Sequence, residues 1–423
     1  MTWAVGNRYT RNMPDTIIIV GAGQAGLQVA ESLRQEHFTG TIALIGAEPY
    51  APYNRPPLSK KWLSEPMSVE SLSIRGAEAI ARRQIDLMPS NTVLAIDRSA
   101  RSVRLQDGRQ LPYDGLALTT GACLKVLPIP GAELRGVYGL RGIDDAQSIA
   151  AALEACADTH APVVVIGGGF IGLEVAATAR KRGLEVTVLE GLSRLMSRVV
   201  APVVGETMAR VHTAHGVRLV FDVKIVELEG HAGVVRAVRT SDGQRYPAGC
   251  VVVGVGVNPD DALARAAGLA CERGVIVDAC ARTSDPHIVA AGDCCALRTA
   301  DGSLRRLESV QNAVEQGKAA AAALLGRERP FTATPWFWSD QYDLKLQMVG
   351  LSHGYTQVVT RGDLNKPAFS AYYFRDTALI AVDSLSRIAD HMNARKLLDR
   401  AIAVTPQQVA DEHFELSSLL SPS

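Results

Sequence analysis

Two glycine clusters are the first residues in this chain whose spacing can do chemistry. GAGQAG spans Gly21 to Gly26 and GGGFIG spans Gly167 to Gly172. Each follows an aliphatic run and opens a helical stretch. In that setting the G-x-G-x-x-G spacing suits a dinucleotide. Gly21 and Gly167 make the tight turn, Gly23 and Gly169 let the backbone approach a pyrophosphate, and Gly26 and Gly172 allow close helix–strand packing. The helix start then offers unpaired N–H groups and a positive dipole end to the phosphates. Alone, the spacing could be no more than a glycine turn. An acid at the end of the following strand strengthens the reading, since a carboxylate there can accept the ribose hydroxyls. Glu48 comes 27 residues after Gly21 and Glu190 comes 23 after Gly167. Glu190 would repel the extra phosphate of NADP by like charge. Gly191, Leu192 and Ser193 bring no base behind it, so NAD is the expected ligand, and Arg194 is the one feature against.

The elements that must hold these turns repeat. Thr16–Val20 (TIIIV) is apolar on both faces and β-branched, as a buried parallel strand is. A helix from Ala25 to Gln35 and a strand from Thr41 to Gly46 complete a strand–helix–strand unit. The same order returns as a strand over Val163–Gly167, a helix over Phe170–Arg182 and a strand over Glu185–Glu190. The repeat distance is 146 residues, Gly167 minus Gly21. Two nucleotide sites in one chain suggest two nucleotides that meet, a flavin in one site and a nicotinamide in the other. A tandem scaffold with one dead site is the plainer alternative. Leu116–Thr120 with the loop Gly121–Gly131 reads as a crossover, VAAGD at Val289–Asp293 as a further strand, and Gln311–Gly326 as an Ala-rich helix. After Pro330 the pattern changes. AFSAYYF and ALIAVDSL, separated by Arg375, Asp376 and Thr377, read as an antiparallel hairpin. Ser386–Ala403 reads as a helix.

The expected fold is α/β, with two Rossmann-like dinucleotide-binding domains in a glutathione-reductase-like layout and a C-terminal α+β domain. Residues 1–118 and 247–328 form a discontinuous FAD-binding domain, 119–246 the NAD-binding domain, and 329–423 the C-terminal domain. The chain's 423 residues exceed one ordinary hydrophobic core. Lys plus Arg equals Asp plus Glu at 44 each, so no global charge argues for nucleic acid or a membrane surface. No apolar run is long enough for a membrane span. The N-terminus carries Arg8 and Arg11 and no apolar core, unlike a secretory signal. Residues 1–13 read as a short disordered extension with Met13 as an alternative start, and the expected compartment is the cytoplasm. Seven cysteines, with no C-x-x-C, argue against a disulfide framework, a zinc site or a thioredoxin-type pair.

Longer motifs carry a specific resemblance. YNRPPLSK (Tyr53–Lys60), TTGA (Thr119–Ala122), GGGFIGLEVAA, TSDPHIVAAGDC (Thr283–Cys294), ESVQNAVEQG (Glu308–Gly317) and PWFWSDQY (Pro335–Tyr342) resemble the FAD-dependent ferredoxin reductases of bacterial haem-thiolate monooxygenase systems, of the putidaredoxin-reductase-like branch. The likeness runs from Asp15 over nearly the whole chain. It implies a flavoprotein that takes hydride from NADH onto FAD and passes electrons singly to an acidic 2Fe-2S ferredoxin. No acid–base residue is needed, because the cofactor carries the chemistry.

The resemblance also implies a set of site residues. Ala25, Glu48, Arg55, Lys60, Val93, Arg141, Asp293 and Val310 match positions that contact FAD, alongside Gly21, Gly23, Gly26, Thr120 and Gly121. Asp293 would hold the ribityl chain. Val310 would offer its amide, and a helix dipole, to the flavin ring. Ala47 stands where many relatives carry an acid, which leaves the ribose to Glu48. Ile171 and Gly256 join Gly167, Gly169, Gly172, Glu174 and Glu190 on the NAD side. Lys60 and Glu174 match a charged pair near the flavin, either tuning it or serving as a buried structural salt bridge. Trp338 would lie against the flavin on the electron-exit side, or else it is a core aromatic like Trp336. Arg75 and Lys318 match basic contacts to the ferredoxin, and Lys345 lies in the right segment. All three could equally be solvated surface charge. Cys294 is expected to be small and packed, and a vicinal disulfide with Cys295 is disfavoured.

Rivals differ at named positions. A disulfide reductase or a single-cysteine NADH oxidase would need cysteine between Tyr50 and Ser64, where there is none. A reductase of rubredoxin or of a ring-hydroxylating dioxygenase ferredoxin is the nearest alternative. A flavin- and NADH-binding signalling protein of the apoptosis-inducing-factor type would usually add basic or targeting segments, which are not seen in this sequence.

Overall fold

The computed structural model describes residues 14–420. The expected extension at 1–13 lies outside them. The chain divides into two compact units. The first contains Met1–Tyr53, Ser73–Ala122 and Pro259–Thr332. The second contains Asn54–Leu72, Cys123–Asn258 and Ala333–Ser423.

The first unit is built on a five-stranded parallel sheet. Its order is Ile288–Ala290, Gly115–Leu118, Thr16–Val20, Thr41–Ile45 and Ile85–Met88. Ile17, Ile18 and Ile19 are all buried, which is why the TIIIV run carries no polar alternation. The segment expected as a crossover is different. Gly115–Leu118 is an inner strand, bonded to Thr16–Val20 on one side and Ile288–Ala290 on the other. Its Leu116, Ala117 and Leu118 are buried on both faces, the same signature as TIIIV.

The helix Gln24–Gln35 packs against the helix Val310–Leu324. Alanines and a glycine let them approach: a Cβ on Gly317 would sit 2.9 Å from the Gln28 side chain and 3.1 Å from the Ala25 carbonyl oxygen. Ala313, Ala320 and Ala323 fill the same buried face. This helix starts at Ser309, whose hydroxyl accepts the Asn312 amide at 3.1 Å, an ordinary N-cap.

The second unit contains another five-stranded parallel sheet, ordered Arg218–Val220, Val186–Leu189, Val163–Ile166, Cys250–Val253 and Val137–Gly139. Its helix Phe170–Lys181 follows the second glycine turn. The same unit holds a five-stranded antiparallel sheet, in the order Trp336–Gln341, Leu344–Gly350, Ala378–Leu385, Ala368–Arg375 and Gln357–Asp363. The expected hairpin is present, with Arg375 opposite Ala378 and Asp376 in the left-handed region at φ 54°. The expected terminal helix is shorter, Ile388–Asp399. One apolar cluster joins the two sheets: Leu173, Leu195 and Met208 share it with Leu346, Phe369 and Tyr373.

Ionisable groups are buried in and around the antiparallel sheet. The Tyr373 hydroxyl donates to the buried Asp383 carboxylate and accepts the Ala201 amide at 2.8 Å. Burial raises Asp383 to about 7. Burial lowers His212 and His391 to about 4, with Arg395 adding to the effect on His391. The signs oppose. An unfolded chain binds more protons at the two histidines between 6.5 and about 4, so they withdraw stability as pH falls through that window. The folded chain binds more protons at Asp383 between 3.8 and about 7, so that group withdraws stability as pH rises. Asp383→Asn keeps an acceptor for Tyr373 and removes only the second effect. The variant is expected to melt higher than the parent near pH 8 and to lose stability more steeply on acidification, as followed by thermal melts across pH.

Candidate functional site

In the first unit the glycines have separate steric duties. Gly21 has φ +110°, and a Cβ there would meet the Thr119 carbonyl oxygen at 2.1 Å. A Cβ on Gly26 would lie 2.0 Å from the Gly21 carbonyl oxygen. Gly23 is the opposite case, with nothing within 4 Å of its Cβ position. It caps the helix Gln24–Gln35 with no side-chain hydrogen bond, and no acid lies in the first turn. The result is open space over unpaired helix-start amides, the shape and polarity a pyrophosphate needs.

Around that turn, Ala25 is buried, Ala47 is exposed, and Glu48 accepts the Tyr53 hydroxyl at 2.5 Å. Thr120 donates to the Asp260 carbonyl at 2.5 Å, and Gly121 follows at φ 77°. Val93 is buried in the antiparallel strand Val93–Asp97. Asp293 is half-buried directly after Gly292, whose amide donates to Gln316 at 2.8 Å. Val310 is the first residue of its helix. Arg55, Lys60 and Arg141, expected with this set, belong to the second unit, where Arg55 donates to the Arg141 carbonyl at 2.6 Å.

The second turn repeats the first. Gly167 has φ +104°, and a Cβ on Gly172 would lie 2.2 Å from the Gly167 carbonyl oxygen. Over Gly169 the nearest atom to a Cβ is 4.0 Å away. Ile171, in the first turn of the helix, leaves its apolar side chain exposed, and Gly256 is exposed at φ +97°. Glu190 is already oriented. Its Oε2 accepts the Gly168 amide at 2.6 Å and its Oε1 accepts the Leu192 amide at 2.8 Å. Arg194, the one cation that argued for NADP, is occupied elsewhere. Its guanidinium donates to the carbonyls of Val200 at 2.9 Å and Ser197 at 3.0 Å.

The expected charged pair is formed. Lys60 Nζ lies 2.8 Å from Glu174 Oε2, with Glu174 buried and Lys60 partly exposed. Two hydroxyls that sequence reasoning missed complete the carboxylate: Ser59 donates to Oε2 at 2.5 Å and Ser339 donates to Oε1 at 2.5 Å. Only the fold reveals Ser339. Ser339 and Gln341 alternate with outward residues on one strand, so two polar side chains point to the buried face. Trp338 is half-buried on the same strand, its ring 5.5 Å from that of Trp336, which in turn lies under Arg395 at 5.0 Å.

The three basic candidates differ. Arg75 pairs with Glu31 at 2.7 Å and Lys318 with Glu315 at 2.6 Å. Lys345 is exposed. All seven cysteines are free, and Cys294 is buried with its Sγ 3.7 Å from that of Cys295. Among the described residues no cluster of His, Cys, Asp and Glu could hold a metal, and no helix is long and apolar enough to cross a membrane.

The chain is similar to known proteins along most of its length. Residues 15–317 match the pyridine nucleotide-disulphide oxidoreductase model, and residues 336–420 match the reductase C-terminal model. Rhodocoxin reductase of Rhodococcus erythropolis is 44% identical over 402 residues, covering 95% of this chain and 93% of that protein. The crystal structure of the ferredoxin reductase for the CYP199A2 system of Rhodopseudomonas palustris is similar at TM-score 0.93 and 43% identity, covering 96% of this chain and 100% of that one. Putidaredoxin reductase, in its covalent complex with putidaredoxin, is similar at TM-score 0.92 and 38% identity, covering 97% and 99%.

The two glycine turns can be tested apart. Gly26→Ala should be purified without bound flavin, since its methyl collides with the turn that shapes the first site. Gly172→Ala should stay yellow but fail to bleach with reduced nicotinamide. Absorption spectra of the two proteins, before and after anaerobic NADH, read both outcomes.

Proposed function

The chain belongs to the pyridine nucleotide-disulphide oxidoreductase family, and from that premise we propose that it is an FAD-dependent NADH:ferredoxin reductase serving a cytochrome monooxygenase. The observation that carries the reading is the pair of glycine turns, each with open space over bare helix-start amides and an acid at the end of the next strand. The relatives' names carry the choice of acceptor: rhodocoxin, putidaredoxin and the CYP199A2 system each name a reductase that works with an electron carrier or a monooxygenase. In this reading residues 1–118 and 247–328 bind FAD, 119–246 bind NADH and 329–423 form the C-terminal domain, although Asn54–Leu72, with Arg55 and Lys60, group with the second unit.

Bound FAD supplies the change from a two-electron donor to single-electron delivery. The chain's residues bind and orient. Gly21, Gly23 and Gly26 seat the FAD pyrophosphate, Glu48 takes the ribose, and Asp293 takes the ribityl chain. Val310 directs a helix-start amide to the ring. Gly167, Gly169 and Gly172 seat NADH, and Glu190 accepts its ribose hydroxyls. The two amides that hold Glu190 fix the carboxylate before the ligand arrives, which spares the ordering cost on binding. With its guanidinium committed to carbonyls, Arg194 has little to offer a 2′-phosphate. Lys60 and Glu174 form an ion pair that positions the hydride donor, and Trp338 lies on the electron-exit side. Arg75, Lys318 and Lys345 attract the acidic ferredoxin, so reduction of the carrier slows as salt rises. The compartment is the cytoplasm, where NADH is supplied and thiols stay reduced.

Two measurements test this. Anaerobic titration should bleach the flavin with NADH and poorly with NADPH, and adding oxidised 2Fe-2S ferredoxin should restore the colour. Bleaching without ferredoxin reduction would remove the acceptor from the reading, and a protein without flavin would remove its core. Glu190→Ala should cut the preference for NADH over NADPH by about tenfold or more, the scale of a lost charge-assisted hydrogen bond. The ratio of kcat/KM values for the two nucleotides measures it.

A further inference from the structure

The charged pair is the end of a longer construction inside the second unit. Ser339 Oγ donates to Glu174 Oε1 at 2.5 Å and accepts Gln341 Nε2 at 3.0 Å. The other end of the Gln341 amide, Oε1, lies 2.7 Å from His212 Nε2. Glu174, Ser339, Gln341 and His212 are all buried, with exposures of 4%, 1%, 1% and 0%.

The directions of these bonds are forced. An ionised carboxylate only accepts, so Ser339 must donate to it and has a lone pair left for Gln341. Gln341 spends its N–H on Ser339 and turns its carbonyl to His212, which must then carry its proton on Nε2. His212 Nδ1 is buried and has no hydrogen-bond partner, as the unprotonated nitrogen of that tautomer would be. Burial holds the ring neutral, lowering its pKa to about 4. Every donor from His212 inward therefore points toward Glu174. The tilted ring of Tyr342, 5.1 Å from His212, closes the outer end.

A carboxylate this deep has three donors on two oxygens. Lys60 and Ser59 share Oε2, and Ser339 alone serves Oε1. Without Ser339 the carboxylate is free to rotate about its last bond and offer Lys60 a different oxygen at a different angle. We infer that Ser339, oriented by Gln341 and His212, is a positioning residue that locks the Glu174 carboxylate and thereby fixes where Lys60 holds its charge during hydride transfer. The inference rests on the reading that the Lys60–Glu174 pair orients the hydride donor. It adds three residues from the C-terminal sheet and the helix Pro202–Ala214 to that task.

Stopped-flow reduction of the holoenzyme by NADH separates positioning from mere support. In Ser339→Ala the limiting rate of flavin reduction should fall about tenfold, a modest share of what one charge-assisted bond can supply. The NADH concentration for half-maximal rate and the flavin content should change little, while the melting temperature falls because Glu174 Oε1 and Gln341 Nε2 lose their partner. The long-wavelength charge-transfer band of reduced flavin with NAD should weaken or shift. Ser339→Thr keeps the hydroxyl and should restore both rate and band. Gln341→Leu breaks the chain one link out, and should slow reduction in the same direction by less; it serves equally if Ser339→Ala does not fold. Loss of flavin or stability with an unchanged rate per bound flavin would make Ser339 structural and overturn the proposal. If Glu174→Gln slows reduction and Ser339→Ala does not, the proposal falls and the reading of the pair stands. If neither variant changes the rate, both fall together.

Discussion

A close backbone approach in each nucleotide fold governs the rest. A methyl on Gly26 would stand 2.0 Å from the Gly21 carbonyl oxygen, and one on Gly172 would stand 2.2 Å from that of Gly167. No side chain fits either place, so the helix can sit directly on the turn that ends the strand. That seating aims the free amides of the first helical turn at the space over Gly23 and Gly169. It also sets the distance to the next strand, whose end carries the acid. A parallel sheet with both faces covered supplies the rigidity this geometry needs, and it requires the apolar runs Ile17–Val20 and Val163–Ile166.

The two copies have diverged in how they hold the acid. Glu48 is met by a side chain, the Tyr53 hydroxyl. Glu190 is met by two backbone amides, from Gly168 and Leu192. Backbone donors leave little freedom, because moving them means moving the turn itself. The second copy differs in its surroundings too. Its helix Phe170–Lys181 packs against the strand Trp336–Gln341 of the antiparallel sheet, and Leu173 shares a core with Phe369 and Tyr373. The C-terminal sheet is thus part of the wall behind this nucleotide fold.

Much of this was legible in the sequence. Glycine spacing, aliphatic runs and the acid positions located both strand–helix–strand units, because each residue type there answers a local steric or electrostatic demand. The hairpin around Asp376 was legible for the same reason. Leu116–Leu118 was misread as a crossover, although it has the same two-sided apolarity as TIIIV, because pairing partners 98 residues apart, Ile17 with Gly115 and Val20 with Leu118 among them, leave no local mark. Arg194 looked like an argument for NADP, and only the positions of the Val200 and Ser197 carbonyls reveal its other employment. Lys60 and Glu174 were found through long motifs. The hydroxyls that complete the site, Ser59 and Ser339, were not, since serine in a strand is unremarkable until the face it points to is known.

What remains is why a buried carboxylate is kept at all. Burying an ion pair seldom stabilises a fold, and an apolar pair of similar volume often does as well or better. Glu174 has therefore to be made tolerable, and the donors around it do that: an ammonium and a hydroxyl on one oxygen, a second hydroxyl on the other. Each added donor needs satisfaction in turn, which draws in Gln341 and then His212. The chain stops at a neutral ring, where the remaining nitrogen is only an acceptor and its burial costs less than that of a charge. A core selected for stability alone would have no reason to carry three donors on an interior carboxylate and two more polar groups behind them. Their presence is intelligible if the charge of Glu174 has to stand at one place and one angle, beside a lysine that remains partly open to the outside.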